Sequence, residues 1–319
     1  MSRFFATSFI IGAALVLAAC GDKGKAPEPG ASGSWTVNHP RGVHGLISCL
    51  EKNDIAMISA HRGGPGPGRP ENSLAAFEAT LGGAPAILEV DVAASRDGVL
   101  FLLHDDTLDR TTTGSGIAAE KNWDELASLY LKDADGRKTD ERIPTLGEAL
   151  AWAEGRTVFQ LDIKRSARYE DVVETVKTAG AEDRVIYISY SIGQARKLSR
   201  LDRSAVLSVS VDTLQDYEEA IEAGLPPSRI LAWTGNQRPR PYLFEKLEER
   251  DRPAIFGTLG PPSRSIDAQI ARSGDYTRYA EIVSRGVDIL ATDVPLSAFK
   301  AIAGDAYEKE AAVCGLKRL

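Results

Sequence analysis

Ala86-Ile87-Leu88-Glu89-Val90-Asp91-Val92 is the run on which the fold of this chain turns. Glu89 and Asp91 are two apart, so on a strand they face the same way. Leu88, Val90 and Val92 surround them, which leaves such a strand no solvent face. A Glu-x-Asp pair is most often found on a solvated edge strand, and these neighbours argue against it. Two ionised carboxylates in an apolar strand need a partner.

Outward from this run, short apolar stretches alternate with longer amphipathic ones. Strands are expected at Ile55–His61, Ala86–Val92, Val99–His104, Thr157–Lys164, Val185–Ser189, Ala205–Val211, Ile230–Thr234, Ala254–Thr258 and Asp288–Thr292. Helical patterns lie between most of them, at Ser73–Leu81, Thr145–Ala153, Tyr169–Thr178, Gly193–Leu201, Leu214–Ala223, Tyr242–Glu249 and Tyr276–Ser284. Tyr169–Thr178 places Val172, Val173 and Val176 on one face, the spacing of an amphipathic helix. Repeated strand–helix alternation makes this an α/β chain with a mainly parallel sheet, open or closed. The strands number one more than an eight-stranded (βα)8 barrel holds. The link from Val92 to Val99 is also too short for a helical crossover. One strand is therefore expected outside the barrel, and Ile230–Thr234 is assigned that place. The polar segment from Asp105 to Ile143 reads as an insertion after the third strand, with a helix near Asn122–Leu131.

The N-terminus reads as a leader. Arg3 precedes an apolar stretch from Phe4 to Leu17, then Leu17-Ala18-Ala19-Cys20. The apolar run is short for a membrane span. A cysteine after Leu-Ala-Ala resembles the bacterial lipobox, which implies a signal peptide over residues 1–19 and lipidation of Cys20. Residues 20–40 are expected to be a tether, because Gly21–Ser34 is rich in Gly, Pro and Ser and has little to bury. A single domain is expected over 41–319. The protein would then be exported and lipid-anchored to a bacterial membrane, facing the periplasm or the exterior. Cys49 and Cys314 lie near the two ends of that domain. Export permits a disulfide between them, and two free buried thiols fit the sequence equally well. The net charge is −7, and no basic stripe supports nucleic-acid binding. No protein partner is implied.

The chain has four histidines, and two of them, His61 and His104, close apolar strand-like runs and precede polar loops. Asp162 and Lys164, two apart on another strand, share a face. Three carboxylates, Glu89, Asp91 and Asp162, without clustered Cys or His suit one hard divalent cation, Mg²⁺ or Ca²⁺. Histidines beside them suit metal-assisted proton transfer. Arg62 offers a planar fork for anionic oxygens, or a surface salt bridge. Lys164 suits the same anion, or serves to neutralise Asp162. The glycines at 63, 64, 66 and 68 are not spaced as a nucleotide-binding fingerprint.

These motifs resemble the glycerophosphodiester phosphodiesterase family. The resemblance is carried by His61-Arg62-Gly63, Pro70-Glu71-Asn72-Ser73, Glu89-x-Asp91-Val92, Asp97-Gly98 and His104-Asp105-x-x-Leu108-Asp109-Arg110-Thr111-Thr112. It continues through Arg142-Ile143-Pro144-Thr145-Leu146 and Gly286-Val287-Asp288-x-Leu290-x-Thr292-Asp293-x-Pro295, and is weak between Val185 and Gly286. It implies a (βα)8 barrel of the TIM type with its site at the C-terminal strand ends. It further implies His61 and His104 as the acid–base pair and Glu89, Asp91 and Asp162 around the divalent cation. Arg62 and Lys164 would contact phosphate, with Glu71 orienting Arg62 or the metal shell. The family usually has Glu where this chain has Asp162, in a strand that here reads Leu161-Asp162-Ile163-Lys164. The family's tryptophan-containing strand near the C-terminus has no clear counterpart. Trp233-Thr234-Gly235-Asn236 is similar in letters but early, and Ala254–Thr258 is the stretch that would take its place.

The activity implied is release of an alcohol and glycerol 3-phosphate from a small-molecule glycerophosphodiester. Two other readings compete. One is a lipid head-group cleaving enzyme of the sphingomyelinase D or phospholipase D kind, favoured by the anchor and disfavoured by the lack of a membrane-docking aromatic cluster. The other is a phosphodiester-capturing lipoprotein without turnover, which would have no use for paired histidines.

Overall fold

The computed structural model describes residues 33–319. The leader, Cys20 and most of the expected tether lie outside the described residues. Eight parallel strands form the centre: β2 (Met57–Ala60), β3 (Ala86–Ala94), β7 (Phe159–Ile163), β8 (Val185–Ser189), β9 (Val206–Ser210), β10 (Ile230–Trp233), β11 (Ala254–Gly257) and β12 (Ile289–Thr292). They pair in that order, and β12 returns to β2 with Thr292 opposite Ala60, which closes the sheet into a (βα)8 barrel. Every residue of β3 is buried, as its apolar surroundings of Glu89 and Asp91 require.

One expectation is corrected here. Ile230–Trp233 is a full barrel member, parallel to β9 on one side and β11 on the other. The strand outside is β4 (Leu100–Leu102), antiparallel to the end of β3 with Ala94 opposite Leu100. The cause is the short link noted above. Ser95-Arg96-Asp97-Gly98 is a turn with Gly98 at φ +87°, so the chain reverses where a crossover cannot fit.

The insertion has its own small core of Phe101, Leu103, Leu108, Leu126, Leu131 and Ile143. Its helix is shorter than expected. It starts at Trp123 behind an Asn122–Glu125 capping box and stops at Ala127. Tyr130–Lys132 is instead β5, paired with β6 (Lys138–Arg142). There Tyr130 is covered by Arg142 and Lys138, whose cationic groups lie 3.5 and 3.7 Å from its ring centre.

Regular structure is also present before the expected boundary at residue 41. Trp35–Val37 is β1, antiparallel to β13 (Leu316–Arg318) and buried throughout. Trp35 explains why, for its ring packs edge-on against Phe299 and Tyr307. Residues 33–40 therefore belong to the domain.

A helix that the sequence reading passed over, Gly42–Lys52, closes the barrel at its N-terminal end. Val43, Leu46, Ile47 and Leu50 recur at helical spacing and pack on Met57, Ile87, Val158, Ile186 and Ile289 near the strand starts. Full burial of one such aliphatic side chain stabilises by about 1.5–3 kcal/mol. Cys49 of this helix is disulfide-bonded to Cys314, with Cα atoms 5.4 Å apart. The bond spans 265 residues and so restricts nearly the whole unfolded chain.

Replacing both cysteines, Cys49→Ser with Cys314→Ser, is expected to cost about 2–5 kcal/mol of stability, read as a lower melting temperature. Activity per folded molecule should be retained. An unchanged melting temperature would contradict this.

Candidate active site

The open end of the barrel collects the polar residues. Glu89 and Asp91 project from β3, and Asp162 of β7 stands opposite Asp91 in register. Their carboxylates offer oxygens that all lie within 4.8 Å of one another, and all three residues are buried. Lys164 Nζ sits 2.7 Å from both Asp91 Oδ1 and Asp162 Oδ2. Burial alone would raise the Asp91 pKa, but the charges of Lys164, His104 and Arg62 hold it below the usual range. Glu89 is pushed up, first by burial and then by the Asp91 charge. An all-oxygen donor set with one under-compensated carboxylate fits a hard divalent cation.

Asn72 fixes the central carboxylate. It sits at φ +58°, where its Nδ2 donates to Asp91 Oδ2 at 2.7 Å and its Oδ1 accepts the Asp91 N–H at 3.0 Å. Arg62 is also left-handed, at φ +52°. Its backbone N–H donates to Glu89 Oε2 at 2.7 Å and its NH1 donates to Glu71 Oε1 at 2.9 Å. Its Nε is buried, has no hydrogen-bond partner and lies 3.7 Å from Asp91 Oδ2. A backbone held in this region beside a buried donor that makes no hydrogen bond marks local strain at the barrel mouth. Gly63 permits the loop: at φ +79°, a Cβ there would stand 2.3 Å from the Phe77 ring.

Each histidine is held by a carboxylate. His61 Nδ1 bonds Asp293 Oδ1 at 2.7 Å, and His104 Nδ1 bonds Asp105 Oδ1 at 2.7 Å. In both rings Nε2 is left as the exchanging nitrogen. Burial works to lower the His61 pKa, but the Asp293 hydrogen bond and the Glu89 charge outweigh it and the net shift is upward. Asp293 is itself fixed. Its Oδ2 accepts the Gly260 N–H at 3.0 Å, and its own N–H donates to buried Asp267 at 2.8 Å.

A cavity of about 200 Å³ opens here, lined by His61, His104, Asp162, Lys164, Tyr190 and Trp233 among others. Glu89 and Asp91 also reach it, while Arg62 and Glu71 stand outside its lining. Tyr190 donates its hydroxyl to Asp162 Oδ2 at 2.9 Å. Trp233 lies over Gly257, where a Cβ would approach the indole to 2.7 Å. The early Trp233 thus serves the mouth directly, from its own barrel strand β10.

The eight residues singled out from sequence for this site fall at one barrel mouth. Cys49 and Cys314 are at the opposite end, and Cys20 is outside the described residues. Sequence reasoning gave no role to Asn72, Asp105, Arg110, Tyr190, Asp267 or Asp293. Asp105 and Asp293 did carry a signal, since each follows a strand end inside a quoted motif.

A closed barrel that gathers two carboxylate-held histidines and a carboxylate triad at its C-terminal strand ends is built as barrel enzymes build their active sites. Residues 61–222, slightly more than half of the chain, match the model of the Glycerophosphoryl diester phosphodiesterase family. The chain belongs to that family. It is 35% identical over 171 residues to a glycerophosphodiester phosphodiesterase of Bacillus altitudinis, covering 49% of this chain and 68% of that one. A glycerophosphodiester phosphodiesterase of Caldanaerobacter subterraneus is 31% identical over 153 residues, covering 45% of this chain and 63% of the relative. The crystal structure of a glycerophosphoryl diester phosphodiesterase from Parabacteroides distasonis superposes with a TM-score of 0.76 at 32% identity, covering 87% of this chain and 98% of that one.

Asp293→Asn should lower kcat by about 10²–10⁴-fold, because the amide no longer holds the tautomer that the carboxylate fixes. Asp293 raises the His61 pKa, so its loss should move the limb of the pH profile governed by His61 to lower pH. An unmoved profile at wild-type rate would contradict the pairing.

Proposed function

We propose that this protein is a divalent-cation-dependent enzyme that hydrolyses glycerophosphodiesters to an alcohol and glycerol 3-phosphate, with His61 and His104 as its acid–base pair. The observation that carries the reading is the pair of carboxylate-held histidines lining one cavity with the Glu89–Asp91–Asp162 cluster. Family membership supports the same substrate class. A capture protein would have no use for two histidines each fixed at Nδ1.

Glu89, Asp91 and Asp162 would hold Mg²⁺ or Ca²⁺, which when bound supplies positive charge to the phosphate oxygens. Asp162 is shorter than the Glu usual at this position, and here Tyr190 and Lys164 hold it in place. Lys164 lines the cavity and would meet a phosphate directly, while Arg62, outside the lining, would act on it through its charge, and both favour the charge that builds on the phosphate oxygens during reaction. One histidine accepts at Nε2 the proton of the nucleophile: water, which gives glycerol 3-phosphate directly, or the substrate's own 2-hydroxyl, which gives a cyclic phosphodiester that a water must then open to glycerol 3-phosphate. A new P–O bond forms as the P–O bond to the leaving group breaks. The other histidine donates its Nε2 proton to the departing alkoxide. Asp293 and Asp105 keep both rings turned for these transfers. Lys164 lies between two carboxylates, and its pKa is raised: burial opposes the charge, but Asp91 and Asp162 outweigh it, so it stays cationic.

The Leu17-Ala18-Ala19-Cys20 sequence supports export and lipid anchoring as part of the same proposal.

His61→Ala and His104→Ala should each lower turnover of glycerophosphocholine by about 10²–10⁴-fold, with little change in melting temperature. Either variant near wild-type activity would overturn the acid–base assignment. Chelation with EDTA should abolish glycerol 3-phosphate release, and Mg²⁺ or Ca²⁺ should restore it. Full activity in EDTA would overturn the cation requirement.

A further inference from the structure

We infer that Arg110, from the insertion, is a positioning residue that locks the His104 side of the site to the Arg62 side. This rests on the roles proposed above for His104 and Arg62. Its Nε donates to Asp105 Oδ2 at 2.7 Å and its NH2 donates to Asp105 Oδ1 at 2.8 Å. The same guanidinium donates from NH1 to Glu71 Oε2 at 2.7 Å and from NH2 to Glu71 Oε1 at 2.8 Å. Arg110 therefore makes two planar forks at once, one on each carboxylate.

Those two carboxylates lie outside the cavity lining, and each contacts a residue assigned to the proposed chemistry. Asp105 Oδ1 takes the His104 Nδ1 bond, and Glu71 Oε1 takes the Arg62 NH1 bond. A continuous chain runs His104–Asp105–Arg110–Glu71–Arg62, and Arg62 directly follows His61 in sequence. Without the cation, Asp105 and Glu71 would repel each other and each could turn away from the group it orients. Arg110 holds the Asp105 carboxyl well below the usual carboxylate range, with burial working against this and His104 adding to it.

The backbone under Arg110 is built to place it. Leu108 is buried in the insertion core. Thr112, also buried, donates its Oγ1 to Leu108 O at 2.7 Å, and Lys132 N donates to Thr111 O at 2.8 Å. On the other side Asn72 N donates to Arg62 O at 2.9 Å, which pins the loop carrying Glu71. The side chain of Arg110 is 49% exposed, so an isolated ion pair here would contribute little. A bidentate contact to two carboxylates that are themselves committed is a different case. Lysine could not replace it, for an ammonium is a point charge without the planar fork. The insertion thereby acquires a role: it carries the clamp that sets the distance between the two halves of the site.

The test is steady-state release of glycerol 3-phosphate from glycerophosphocholine by the whole chain. Arg110→Ala should lose about 10²-fold in kcat with a smaller change in KM, the scale of a misplaced reacting group. Guanidinium chloride at non-denaturing, tens-of-millimolar concentration should restore at least about tenfold of that loss, since the half-exposed site admits the ion. The same concentration of sodium chloride should not. In a background carrying Asp105→Asn and Glu71→Gln, adding Arg110→Ala should change the rate by less than about twofold, because the residues it acts through are gone. Arg110→Lys keeps charge and aliphatic stem, so it should fold normally and still turn over about tenfold slower.

Wild-type rates for Arg110→Ala or Arg110→Lys would overturn the assignment. So would a loss that guanidinium leaves untouched and that is fully additive with the carboxylate changes. His104→Ala separates the two levels of the argument. If it is active, the acid–base reading fails. If it is inactive while Arg110→Ala runs at wild-type rate, this assignment alone fails.

Discussion

Three carboxylates brought together where water is scarce are the constraint around which this structure is arranged. Charges in such a place are stable only when opposite charge or hydrogen-bond donors converge on them. Every neighbour of Glu89, Asp91 and Asp162 answers that requirement. Lys164 bridges two of them, Asn72 clamps the third side of Asp91, and the Arg62 backbone N–H serves Glu89. The compensation is incomplete, as the upward push on Glu89 indicates, and the proposed divalent cation would complete it. The same residues therefore answer a folding problem and supply the site proposed for phosphate chemistry.

The barrel separates its two ends by purpose. The N-terminal end is closed by Gly42–Lys52, an apolar helix face on the strand starts, and is tied by Cys49 and Cys314. The C-terminal end carries almost all of the strained backbone that matters for chemistry, at Arg62 and Asn72. Strain there is tolerated because the strands below are fixed by packing. The insertion contributes at this end as well, through Asp105 and Arg110.

Much of this was legible in the residues. Alternating apolar and amphipathic stretches pointed to a mainly parallel sheet, the family resemblance implied its closure into a barrel, and β3 could be recognised by its carboxylates among Leu88, Val90 and Val92. The eight residues read for the mouth of the barrel share it because strand ends are where this architecture puts side chains together. The errors have physical causes. Val99–His104 looks like any other strand, and only the short turn at Ser95–Gly98 says that it runs backwards. Ile230–Thr234 is brief and weakly patterned, yet pairing on both sides fixes it in the barrel. Trp35–Val37 follows a Gly- and Ser-rich stretch and is a strand only because Leu316–Arg318 arrives from the far end of the chain. Asn72 and Arg110 reach Asp91 and Glu71 from well-separated places in the chain, which no local spacing reveals.

The most direct measurement of the central claim is calorimetric titration of the folded domain with Mg²⁺ and with Ca²⁺, alongside Glu89→Gln. The account predicts saturable binding of one divalent ion per wild-type chain and loss of that binding in the variant. No saturable binding to the wild type, or the same binding in Glu89→Gln, would contradict it.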